Sequence, residues 1–78
     1  MITSDQIRAA RSLLRWTGKE LAEKSGVGFS TLMRLETEDG VPNAQAKTLE
    51  ALRKAFEEAG IEFIGTPDNG PGVRLFSK

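Results

Sequence analysis

The chain has 78 residues, of which 11 are basic and 11 are acidic, and it contains no Cys, no His and no Tyr. Such a short chain forms one small core, and it lacks disulfides, thiol nucleophiles and the imidazole groups most used for acid–base chemistry and metal binding. We therefore expect no enzyme activity, no catalytic residues, no metal site and no cofactor.

The charges are unevenly distributed although the formal net charge is zero. Residues 1–37 carry six basic and four acidic side chains, a balance of plus two, whereas residues 38–78 carry five basic and seven acidic ones, a balance of minus two. A mildly basic N-terminal half favours contact with a polyanion. No apolar run is long enough for a membrane span, and the N-terminus lacks the features of a signal peptide, so we expect no membrane association.

The first predicted element is a helix that Thr3 or Ser4 caps and that ends near Trp16. Its apolar residues recur at intervals of three and four, namely Ile7, Ala10, Leu13 and Leu14. Three basic residues lie outside this set: Arg8, Arg11 and Arg15. We expect Trp16 to pack between this helix and the next one, with a ligand contact as the alternative.

Residues 17–36, TGKELAEKSGVGFSTLMRLE, predict two short helices joined by a tight turn. Thr17 and Glu20 have the spacing of a capping box, so the second helix runs from about Gly18 to Ser25. Gly26 tolerates the left-handed conformation that ends such a helix. The third helix runs from about Phe29 to Thr37, with Leu32 and Leu35 as its inner face.

A polar turn at residues 38–42 precedes the fourth predicted helix. We expect Asn43 to cap this helix, which spans Ala44 to Ala59 and stops at Gly60. Its apolar stripe has spacings of three, four and three residues and consists of Leu49, Leu52, Phe56 and Ala59.

Two β-prone segments, Ile61–Ile64 and Val73–Phe76, flank a loop rich in Gly and Pro and predict a C-terminal β-hairpin. Apolar residues occur on both faces of each segment, and an isolated hairpin is marginally stable in water. Two alternatives follow: the hairpin pairs with a second copy of the chain, or it folds back on the fourth helix. In the first case the dimerisation residues are Ile61, Phe63, Ile64, Val73, Leu75 and Phe76.

Within residues 17–36, seven residues together form one pattern: Leu21, Ala22, Gly26, Val27, Leu32, Leu35 and Glu36. In this pattern the chain resembles, over residues 5–59, the phage-repressor type of helix-turn-helix regulator, the Cro and lambda-repressor-like or XRE-type family. The resemblance implies a mainly α fold, a lambda-repressor-like bundle of four to five helices with a helix-turn-helix and a short C-terminal β-hairpin. It also implies a DNA-binding domain at residues 1–60 and a hairpin, a candidate dimerisation element, at residues 61–78.

In that family the second helix of the motif enters the major groove and the first crosses the phosphate backbone. Carried over to this sequence, the resemblance implies base contacts from Phe29, Ser30, Thr31, Met33 and Arg34. It implies phosphate contacts from Arg15, Thr17, Gly18, Lys19 and Asn43. Arg34 either binds guanine or is a solvated residue paired with Glu38, and Phe29 either contacts a thymine methyl or covers the corner of the domain.

These expectations give two functional hypotheses. The first is a sequence-specific transcriptional regulator, most simply a repressor, that binds double-stranded DNA at a pseudo-palindromic operator as a homodimer in the bacterial cytoplasm or nucleoid. The second is a protein-interaction module of the antitoxin or anti-activator type on the same scaffold. The zero net charge motivates the second hypothesis, as do the glycines at Gly18 and Gly28, where the family often has Gln and Ser or Thr.

Overall fold

The computed structural model describes residues 1–76, and in this part of the chain four helices precede a two-stranded antiparallel hairpin. The helices are α1 (Ser4–Leu14), α2 (Gly18–Ser25), α3 (Phe29–Glu36) and α4 (Ala46–Glu58), and the strands are β1 (Ile61–Thr66) and β2 (Asn69–Leu75). Helices account for 53% and strands for 17% of the structure. Within residues 1–76, no helix has the length and apolar character needed to cross a membrane.

The expectation of a mainly α, lambda-repressor-like bundle of four to five helices is wrong. The hairpin belongs to the same core as the four helices: Ile61 is 3% exposed, and Phe63 and Val73 pack against the buried cluster. Strand β2 packs against α1, and β1 packs against α4. The reason is that an apolar sheet face must be covered, and the helices of the same chain cover it. The C-terminal hairpin itself is confirmed.

The core lies where all the helices and β1 meet. Its largest apolar side chains with no exposed surface come from every helix: Ile7, Leu21, Leu32, Leu35, Leu52 and Phe56. The ring of Phe56 stacks on Trp16 at a centroid distance of 5.9 Å and meets Phe63 edge-on at 5.9 Å. Trp16 is therefore a half-buried packing residue whose main aromatic partner lies on α4.

Helix α1 begins and ends with defined caps. The Thr3 hydroxyl accepts the N–H of Gln6, and the Gln6 side chain accepts the N–H of Thr3, which completes a capping box. The helix ends at Leu14, two residues before the expected end, because Arg15 takes the left-handed conformation with φ 58°. Leu13 was expected on the inner face but is 45% exposed.

Helix α4 begins two residues later than the sequence predicts. Its N-cap is Gln45, whose side chain makes no capping hydrogen bond, so the prediction that Asn43 caps the helix is wrong. Asn43 is held in the preceding loop instead, because its backbone N–H donates to Glu38 Oε1 at 2.7 Å.

The two strands pair with Ile61 opposite Leu75 and Phe63 opposite Val73. The side-chain amide of Gln6, on α1, donates to the carbonyl oxygens of Ile64 at 3.1 Å and Gly72 at 2.8 Å, one on each strand. These two bonds attach the hairpin to α1 directly. This arrangement corresponds to a hairpin that folds back on its own chain, with α1 as well as α4 as its support.

Candidate nucleic-acid interface

The start of α2 has the predicted capping box. The N–H of Glu20 donates to Thr17 Oγ1 at 3.1 Å, and the N–H of Thr17 donates to Glu20 Oε1 at 2.8 Å. The Thr17 amide is therefore engaged inside the chain. The next two amides, those of Gly18 and Lys19, have no acceptor within residues 1–76. These two N–H groups, together with the exposed Lys19 side chain, are the donors available to an anion at this helix end.

The turn between α2 and α3 consists of residues 26–28. Gly26 has φ 77° and its N–H donates to the carbonyl of Ala22 at 2.9 Å, which is the left-handed helix ending that the sequence predicts. The Ser25 hydroxyl accepts the N–H of Val27 at 3.2 Å, and the Val27 side chain is buried at 9% exposure. The turn is thus fixed by one backbone bond, one side-chain bond and one buried contact.

Helix α3 is anchored by one side and exposed on the other. Leu32 and Leu35 have no exposed surface, as expected. The five residues predicted to face DNA bases fall into two groups: Phe29, Ser30 and Arg34 are exposed, whereas Thr31 and Met33 are half-buried. The exposed group forms the candidate reading surface, which we define as Phe29, Ser30 and Arg34.

The half-buried Met33 packs on the start of α2. A Cβ atom at Gly18 would lie 2.7 Å from Met33 Cε and 3.0 Å from Phe29 Cε1. Because Gly18 has no side chain, the ends of the Met33 and Phe29 side chains lie against the first turn of α2. A larger residue at this position would require the flexible end of Met33 to shift. Met33 contributes to this packing, which the sequence analysis did not predict.

Gly28, in contrast, has no packing role. Its φ of −59° and ψ of 143° suit any L-residue, and a Cβ there would meet nothing within 4 Å. As the N-cap of α3 it provides no side-chain hydrogen bond. The first turn of α3 consequently lacks the side-chain acceptor that Ser, Thr or Asp would supply.

Arg34 is paired with Glu38, which was one of the two interpretations of its role. Its Nη1 lies 2.8 Å from Glu38 Oε2 and also donates to the carbonyl of Asn43 at 3.4 Å. The Arg34 side chain nevertheless remains 54% exposed. The structure thus brings Asn43, predicted to contact phosphate, next to Arg34, predicted to contact a base.

The remaining predicted phosphate residue, Arg15, is exposed at the junction between α1 and α2. Its N–H donates to the carbonyl of Ser12 at 3.0 Å, so the residue caps α1 in the left-handed conformation. Arg15, Gly18 and Lys19 lie within five residues of one another, next to the first turn of α2.

The sequence interpretation missed an ion pair that joins α1 to the end of α3. Arg11 makes a two-point ion pair with Glu36, the last residue of α3, and also donates to the carbonyl of Trp16 at 3.1 Å. Arg8 adds a hydrogen bond to the carbonyl of Glu36. A signal was present: Arg11 follows Ile7 by four residues and therefore lies on the inner side of α1.

The six predicted dimerisation residues lie in different environments. Ile61, Phe63 and Val73 contact the core of their own chain, and Ile64 is half-buried. Leu75 and Phe76 are exposed, at 37% and 52%. The apolar surface that the hairpin offers to a partner is therefore mainly that of Leu75 and Phe76. Residues 77 and 78, the end of the predicted hairpin domain, lie outside the described residues.

None of the protein-family models matches the chain, and no curated protein is significantly similar to it.

Proposed function

We propose that this chain is a sequence-specific DNA-binding transcriptional regulator in which α2 and α3 act as a helix-turn-helix, most simply a repressor in the bacterial cytoplasm or nucleoid. The observation that carries the proposal is the candidate reading surface on α3. Phe29, Ser30 and Arg34 are exposed there, while the opposite side of the same short helix is fully buried. A rigid helix with a guanidinium, a hydroxyl and an apolar group exposed has the chemistry that major-groove edges require.

The first turn of α2 supports the proposal as a phosphate-binding element. The N–H groups of Gly18 and Lys19 are free of partners within residues 1–76, and the Lys19 side chain adds a positive charge. Backbone amides at a helix start bind phosphate oxygens and fix the register of a protein on DNA without reading its sequence. Arg15, at the neighbouring helix end, is a second candidate for the same role.

The proposed DNA-binding species is a homodimer. One helix of eight residues contacts only a few base pairs, and two copies on half-sites about one helical turn apart would supply the missing selectivity. The exposed Leu75 and Phe76 are the hairpin residues from which we expect the contact between copies. The expected operator is pseudo-palindromic because it must match a two-fold symmetric protein.

The test is a selection from random-sequence duplexes at low salt, followed by sequencing of the bound fraction. We expect an enriched pseudo-palindromic motif, and Arg34→Ala should relax the preference at one base pair of each half-site. Arg53→Ala is the matched control because Arg53 is also a helical arginine in an i,i+4 ion pair, but on α4. A bound fraction without any enriched motif would rule out the proposal.

One observation favours a second candidate, a protein-interaction module. Phe29 is 45% exposed and lies beside Met33 over Gly18, so the start of α3 presents an apolar surface that a protein partner can cover. Recovery of a stoichiometric protein partner, lost in Phe29→Ser, together with absent or salt-independent DNA binding, would select this candidate over the first.

A further inference from the structure

Arg34, Glu38 and Asn43 form a closed hydrogen-bonded network at the end of α3. Glu38 Oε2 accepts from Arg34 Nη1 at 2.8 Å, and Glu38 Oε1 accepts the backbone N–H of Asn43 at 2.7 Å. Arg34 Nη1 also donates to the carbonyl of Asn43 at 3.4 Å. Both carboxylate oxygens of Glu38 are therefore in use, one on the arginine and one on the backbone.

The network fixes one part of the guanidinium and leaves the rest exposed. Its bonds to Arg34 all involve Nη1, and within residues 1–76 no acceptor bonds to Nε or Nη2. The Arg34 side chain is 54% exposed, whereas Glu38 is 29% exposed. The Nε and Nη2 hydrogens form a planar pair of donors, the geometry that the O6 and N7 acceptors of guanine require.

We propose that Glu38 is a positioning residue, which holds Arg34 by Nη1 so that its Nε and Nη2 edge reads a guanine in the major groove. This inference rests on the proposed DNA-binding function. Arginine has many rotamers, and fixing them before binding lowers the entropy lost in the complex. Anchorage of Glu38 by the Asn43 amide is essential, because a free carboxylate would move with the arginine instead of orienting it.

The chain contains a second exposed ion pair of the same spacing for comparison. Arg53 Nε lies 3.0 Å from Glu57 Oε2 on α4, with side-chain exposures of 40% and 48%. Within residues 1–76 this carboxylate accepts only from Arg53, so the pair lacks a backbone anchor. Glu57→Gln changes the net charge by the same amount as Glu38→Gln, which makes it the matched control for general electrostatic effects on DNA binding.

The experiment measures the affinity of wild type, Glu38→Gln and Glu57→Gln for the selected duplex and for duplexes altered at the base pair that Arg34→Ala identifies. One altered duplex carries 7-deazaguanine, which lacks the N7 acceptor. Both charge-removing variants should bind non-specific DNA more tightly. Glu38→Gln alone should lose about three- to tenfold of the discrimination at that base pair, part of what a two-bond arginine–guanine contact provides.

Glu38→Asp separates geometry from charge. The shorter side chain keeps the negative charge but is unable to reach both Arg34 and Asn43, so we expect the same loss of discrimination. Urea unfolding of each variant checks that the domain remains folded. Two results would show that Glu38 only competes with DNA for Arg34. One is unchanged discrimination in both Glu38 variants, and the other is tighter binding to every duplex without loss of discrimination. Failure of the wild type to select any sequence would refute the proposed function and this inference together, whereas the former results refute the inference alone.

Discussion

The guanidinium of Arg11 meets the carboxylate of Glu36 through two bonds, with Nε 3.0 Å from Oε2 and Nη2 2.9 Å from Oε1. The pair joins the last turn of α1 to the last residue of α3. Glu36 is 7% exposed and Arg11 is 28% exposed, so loss of the arginine would leave a nearly buried charge without its partner. The pair therefore ties the end of α3 to α1 and should contribute to the stability of the domain.

We expect Arg11→Ala to lower the free energy of unfolding by about 2 kcal/mol, because a desolvated carboxylate loses two charge-assisted bonds. Urea unfolding followed by Trp16 fluorescence measures the change. In a double-mutant cycle with Glu36→Ala, the two residues should show a coupling of at least about 1 kcal/mol. The exposed pair Arg53 and Glu57 is the control, with an expected coupling of about 0.5 kcal/mol or less. Equal coupling in both cycles would contradict a special role for Arg11.

Gly28→Ser should stabilise the protein. The backbone at residue 28 already suits an N-cap and the space is open, so a hydroxyl there can accept an amide of the first turn of α3. The expected gain in unfolding free energy is a few tenths of a kcal/mol. Gly26→Ser is the control, because the φ of 77° at residue 26 disfavours any side chain. This variant should lower the free energy of unfolding by about 1 kcal/mol. A destabilised Gly28→Ser would mean that the glycine has a role in the folded state that its backbone does not reveal.

Gly65 and Gly70 offer a second comparison between glycines. Both have positive φ, 76° and 66°, but a Cβ at Gly65 would overlap with the carbonyl of Gly70, whereas a Cβ at Gly70 meets nothing. Gly70→Ala should cost about 1 kcal/mol from its backbone conformation alone. Gly65→Ala should cost clearly more and should weaken the strand pairing, which amide hydrogen exchange of β1 and β2 would detect. Similar losses in the two variants would argue against the close approach at Gly65.

Lys19→Ala should weaken binding to all DNA sequences equally. If Lys19 contacts one phosphate, the plot of log affinity against log salt concentration becomes shallower by about 0.9. Lys54→Ala, which removes an exposed lysine from α4, should leave that slope unchanged. A loss of affinity for one sequence only, or an equal change of slope in the two variants, would show that Lys19 does not contact a phosphate.

The elements predicted most accurately were those with strong local signals. Helix α2 has the expected bounds because the Thr17 capping box starts it and Gly26 ends it, and both act over four residues or fewer. The buried face of α3 was predicted correctly from the spacing of Leu32 and Leu35. Local signals also gave the hairpin, although its strands are longer than the apolar segments alone indicated.

The features that sequence reasoning missed depend on contacts between distant residues. Asn43 was expected to cap α4, but its backbone N–H donates to Glu38 and the helix begins later. Arg11 follows Ile7 by four residues on α1, but nothing near it in sequence identifies its ion-pair partner Glu36, which lies 25 residues away. The predicted fold class was wrong for the same reason. The packing of the hairpin on α1 and α4 depends on contacts between residues that are far apart in the sequence.

The bonds from Gln6 to Ile64 and Gly72 have a consequence for folding during synthesis. They join residues 58 and 66 positions apart, so α1 is supported by two strands that are synthesised after it. Contacts between residues so far apart form late in folding, because the chain that separates the two residues must first be ordered. While the ribosome still holds β2, α1 lacks these partners, and the native fold is complete only after residue 72 has emerged.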